Sequence, residues 1–104
     1  MVRHKRDLSV EKFGFTMMFL AVSEAYYAHA ITTAKCKKDT AAEAKCRGEF
    51  ANDVRYASRA VQGIIADKPE SWLSDNRLDI AEKAHMSVES LRNLMERNFG
   101  TCNE

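Results

Sequence analysis

At 104 residues the chain is one domain, long enough to bury a single small core and too short for two independent ones. One proline and four glycines beside 45% apolar and 30% charged residues exclude a turn-rich sheet protein and leave an all-α fold. A net charge of +1 excludes a global basic field that would draw nucleic acid, although residues 1–68 carry twelve Lys or Arg against eight acids (+4) and residues 69–104 four against seven (−3).

Residues 1–8 hold Arg3, Lys5 and Arg6 without apolar periodicity and read as a flexible basic arm. The apolar run that starts at Phe13 follows this arm as it would follow a secretory leader. Asp7, Glu11 and Lys12 interrupt before it, Glu24 comes after it, and no stretch reaches the roughly 18 apolar residues of a membrane span. The expectation is a cytoplasmic protein with no membrane partner.

Ser9 offers an N-cap, Glu11 places a carboxylate in the first turn, and a helix is expected from Val10 to Lys38. Along it Phe15, Phe19, Val22, Tyr26 and Ala30 form one stripe and Phe13, Met17, Leu20, Tyr27 and Ile31 a second. Two apolar stripes predict two packing partners, so this helix is expected at the centre with the other elements as its cover. Its aromatic residues and His29 read as core or rim, because no companion ligands stand at metal spacing.

Lys35-Cys36-Lys37-Lys38 closes that helix, and Thr40-Ala41-Ala42-Glu43 matches a capping box that starts a second one, Ala41 to Ala66. Its apolar positions Phe50, Val54, Ala57, Val61 and Ile64 are spaced four, three, four and three, the seam of an antiparallel hairpin over residues 9–66. Arg47, Asp53, Arg55, Arg59 and Gln62 fall on the opposite face, solvated or presented to an acidic partner. Asp67-Lys68-Pro69 ends the helix. Residues 69–99 are expected to form short helices, beginning with a turn in which Trp72 and Leu73 plug one end of the core.

Cys36, Cys46 and Cys102 are an odd number. The C-x9-C spacing of Cys36 and Cys46 resembles half of the twin motif of coiled-coil-helix proteins, whose second pair is absent here. In an oxidising compartment these two could bridge the hairpin, and in cytosol they would stay reduced.

From Asn76 onward, Leu78, Ile80, Ala81 and Ala84 suit one short helix, His85-Met86 a break, and Ser87 the cap of a second helix with Val88, Leu91, Leu94 and Met95 facing inward. The run Ile80 to Leu91 resembles the helix-turn-helix of bacterial and phage transcription regulators: Ala81 matches the small residue where two helices touch, Met86 and Leu91 the buried positions, Ser87 the cap. His85 stands where those regulators usually carry glycine. The resemblance covers residues 76–99 and implies a DNA-binding regulator that acts as a homodimer on double-stranded DNA, with Ser87, Ser90, Arg92, Asn93 and Arg97 toward base edges and phosphates.

The same residues also suit a plain helical hairpin that closes the bundle. The chain is then a non-enzymatic protein–protein interaction module, an inhibitor or adaptor, using the basic face of the second helix or the aromatic face of the first. The sequence holds no glycine-rich phosphate loop, nucleophile elbow, H-E-x-x-H or zinc-spaced cysteine pair, so neither an enzyme nor a cofactor or metal is expected.

Overall fold

The structure, a computed structural model, describes residues 9–67, 77–97, 99 and 102, with side chains from Glu11 to Ala66 and from Met86 onward within those ranges. The basic arm and the turn around Trp72 lie outside the described residues, as do the side chains of Leu78, Ile80, Ala81 and Ala84. Three helices make up the described chain: α1 (Ser9–Cys36), α2 (Thr40–Asp67) and α3 (Arg77–Glu96). The all-α class and the two long helices with shorter helical structure after them are as expected.

α1 and α2 have 28 residues each, about 42 Å at 1.5 Å per residue. They run antiparallel: Phe19 meets Tyr56, Ser23 meets Asp53 and Tyr27 meets Glu49, so numbers rise on one helix as they fall on the other. The hairpin is closed by a helix stop of defined geometry. Lys38 adopts a left-handed φ of 56°, the Asp39 amide donates to the Ala34 carbonyl at 2.9 Å, and the Lys38 amide donates to that of Lys35 at 3.0 Å. This is the Schellman motif, with lysine where glycine is usual.

Asp39 then caps α2, its Oδ1 accepting the Ala42 amide at 3.1 Å. The expected capping box at Thr40 is therefore displaced by one residue: Thr40 is the first residue of α2, and Glu43 turns forward to Arg47 at 3.4 Å. Once the left-handed Lys38 has fixed the chain direction, Asp39 reaches the free amides first.

The core is a single cluster in which Leu20 and Ile31 of α1, Phe50, Val54, Ala57, Val61 and Ile64 of α2, Val88, Leu91 and Leu94 of α3, and Phe99 are all buried. Every residue of the expected α2 seam is in it. Phe50 joins three segments, with its ring 5.8 Å from Tyr27 and 5.2 Å from Phe99. The expectation that α1 is central is corrected: α2 packs against both other helices, and α1 meets α3 only sparsely. α1 gives its Phe13-Met17-Leu20-Tyr27-Ile31 stripe to α2 and, among the described residues, receives nothing comparable on its other side.

α3 is continuous through His85, Met86 and Ser87, where a break was expected. A turn of the helix-turn-helix kind needs a left-handed residue, which costs a non-glycine residue about 1–2 kcal/mol. Continuing the helix avoids that cost, and Ala81, Glu82, Lys83, Ala84 and Met86 all favour it. Val88, Leu91 and Leu94 face inward as expected, whereas Met95 is 42% exposed.

Candidate interaction surface

Of the residues implied by the resemblance, Ser87, Ser90, Arg92 and Asn93 lie on the last three turns of α3 and Arg97 directly follows it. Ser90, Arg92 and Asn93 are exposed and share its outer side, while Ser87 is half-buried. Both arginines have carboxylate partners: Arg92 donates to Glu89 at 3.0 Å, and Arg97 donates across to Glu24 of α1 at 3.3 Å. With Glu96 also exposed, this side carries two acids and two bases. Phosphate recognition needs a surplus of positive charge there, and the residues balance.

Below this pair the α1–α2 seam carries a short polar ladder. Ser23, the buried polar residue among the described ones, donates its hydroxyl to Asp53 Oδ2 at 2.7 Å. Asp53, expected on the outer face of α2, is half-buried and turned toward α1 for this bond. One turn on, the Tyr27 hydroxyl donates to Glu49 Oε2 at 3.1 Å. Partial desolvation, and next the hydrogen bond to the Glu49 carboxylate, push the Tyr27 phenol up to about 12. A neutral donor held against an anion is a structural tie. Proton transfer near neutral pH asks for a group that titrates there.

The cysteines pair differently from the hairpin bridge considered above. Cys36, the last residue of α1, is bonded to Cys102 with a Cα–Cα distance of 5.4 Å, and Cys46 is free and half-buried against the core. The Cys102 sulfur lies 3.9 Å from the Thr32 carbonyl oxygen, so Cys102 is fixed beside the last turns of α1. Among the described residues no group of three His, Cys, Asp or Glu side chains is placed to hold a metal ion, and no helix is long and apolar enough to cross a membrane.

What the fold leaves unsatisfied is the outer face of α1. Phe15 is 69% exposed, Met18 62%, Phe19 42%, Val22 66% and Tyr26 65%. At 3.6 residues per turn these five share one side of the helix, nearly opposite the side that packs on α2. Tyr56 of α2, 65% exposed, extends the patch sideways by an edge-to-face contact with Phe19 at 5.7 Å. Phe15, Thr16, Phe19 and Tyr56 line a shallow groove there. The sequence marked this stripe as apolar; that nothing within the described chain covers it emerges only from the packing.

Compared with protein-family models, with curated protein sequences and with solved structures, the chain matches none.

Proposed function

We propose that this chain is a non-enzymatic helical interaction module whose working surface is the outer face of α1, seating the apolar side of another helix. The observation that carries this reading is the contiguous Phe15-Met18-Phe19-Val22-Tyr26 stripe with Tyr56 beside it. Large side chains of this kind expose about 150–250 Å² each when free. At the exposures observed, the six present on the order of 600 Å². Soluble monomers rarely leave so large an apolar patch uncovered. The Cys36–Cys102 bond supports an oxidising compartment as the place of action, in preference to the cytoplasm expected from the sequence.

DNA binding by a homodimer, implied by the resemblance, is the competing function. It is weakened by the unbroken α3 and by the paired arginines at 92 and 97.

A photo-crosslinking amino acid at position 22, with one at the exposed Gln62 as control, tests the proposal in cells that express the chain. The expected result is a covalent adduct with a polypeptide from position 22 and none from position 62. Equal or absent labelling at both positions, together with salt-sensitive binding to random duplex DNA, would return the function to the regulator.

A further inference from the structure

We infer that the occupant of the α1 face is a second copy of this chain, docked antiparallel so that Phe15 of each copy meets Tyr26 of the other. This rests on the reading of the α1 face as an interface and names its partner.

The first argument is spacing. Four of the five residues of the stripe, Phe15, Phe19, Val22 and Tyr26, are separated by four, three and four positions, a pattern that reads the same in both directions, and Met18 flanks them. A two-fold axis between residues 20 and 21 therefore pairs Phe15 with Tyr26 and Phe19 with Val22. A face that is its own complement under this rotation is what a two-fold dimer requires. The four-three-four spacing is also the seam of packed helices, so each side chain enters a gap on the facing copy.

The second argument is size. On the order of 600 Å² per copy gives about 1,200 Å² in total, the lower end of specific, stable interfaces. The rim residues Lys12 and Thr16 would add to it.

The third argument is charge and shape, which choose the direction. A parallel pairing brings Lys12 against Lys12 and Glu11 against Glu11, like charges side by side, and stacks Phe19 on Phe19 and Val22 on Val22. The antiparallel pairing places the two Glu11 residues at opposite ends of the interface, and the two Lys12 residues likewise, and matches a large Phe19 with a smaller Val22. Glu11 and His29 lie on the same side of α1 as the stripe and bracket it at its two ends.

Sedimentation equilibrium on the full oxidised chain tests this. Wild-type protein at tens to hundreds of micromolar should approach twice its 11.8 kDa mass. Val22→Glu, at a position two-thirds exposed in the single chain, should keep the wild-type circular dichroism, and the wild-type melting curve at concentrations low enough for both to be monomeric, while weakening dimerisation at least tenfold. Gln62→Glu, a charge on an exposed α2 position, should dimerise as wild type. Wild type that stays at 11.8 kDa, or Val22→Glu that dimerises unchanged, overturns the inference.

Direction is read separately on a Cys46→Ser background. A chain with Phe15→Cys should cross-link to one with Tyr26→Cys and not to itself; self-linkage of the Phe15→Cys chain would overturn the antiparallel register. A monomeric wild type whose position-22 crosslinker still captures another polypeptide defeats self-association and leaves the interaction module standing. Absence of both defeats both.

Discussion

Removing the Cys36–Cys102 bond should cost this protein a large part of its stability, and the structure sets the size. The bond spans 66 residues of sequence, and closing a loop of that length withdraws entropy from the unfolded chain worth about 4 kcal/mol at 25 °C. The folded side of the balance changes little, because Val88, Leu91, Leu94 and Phe99 hold α3 and the following segment on the core without it. With a urea dependence of roughly 1.5 kcal/mol per molar, the unfolding midpoint of the Cys36→Ala/Cys102→Ala double variant should fall by about 2–3 M. Urea titrations followed by circular dichroism, on oxidised wild type, reduced wild type and the double variant, measure it; Cys46→Ala, with a half-buried free thiol, serves as control. Native oxidised protein should show one reactive thiol, that of Cys46. A midpoint in the double variant within about 0.3 M of wild type, or three titratable thiols in the native protein, would refute the reasoning.

Other perturbations probe separate links. Leu91→Ala empties a fully buried position where α3 meets α2 and should lower stability by about 2–5 kcal/mol, read by thermal or urea unfolding. The helix stop predicts a pair of opposite signs: Asp39→Ala loses the α2 cap and should cost about 1 kcal/mol, whereas Lys38→Gly relieves a left-handed lysine and should gain about 1 kcal/mol. A 295 nm absorbance titration should show the Tyr27 ionisation near pH 12, and Tyr27→Phe should delete that step. Because its folded value lies above its unfolded one, the stabilisation it provides is complete below about pH 10 and lost as pH rises toward 12. Wild-type melting temperature should therefore fall more steeply across that window than that of Tyr27→Phe.

Much of the fold was legible because helical periodicity reports burial directly. The α2 seam is the clearest case: all five of its positions, Phe50 to Ile64, are buried. The two ends of the hairpin helices fell within two residues of the expected bounds, since Lys35 to Asp39 holds the stop signals of one helix and the start signals of the next. Periodicity could not say which of two apolar stripes on α1 finds a partner inside the chain. A stripe awaiting an external helix has the same spacing as one that is covered.

The break expected at His85-Met86 came from reading Ser87 as the cap of a second helix, while the spacing of Ala84, Val88 and Leu91 runs through that point as one helix. Asp53 was assigned outward by its charge; a serine 30 positions away supplies the partner that draws it inward, and no local pattern carries that information. The same holds for Cys36 and Cys102, which are joined by folding over 66 residues rather than by spacing.

The claim that a second copy of this chain covers the outer face of α1 meets its most direct test in two methionines. Met18 sits in the stripe and is 62% exposed in the single chain; Met86, on α3 and away from it, is 65% exposed. Peroxide oxidation of the folded protein, followed by peptide mass spectrometry, should modify both at the same rate at low protein concentration. At hundreds of micromolar Met18 should slow several-fold while Met86 keeps its rate. Equal rates for the two at every concentration would contradict the account.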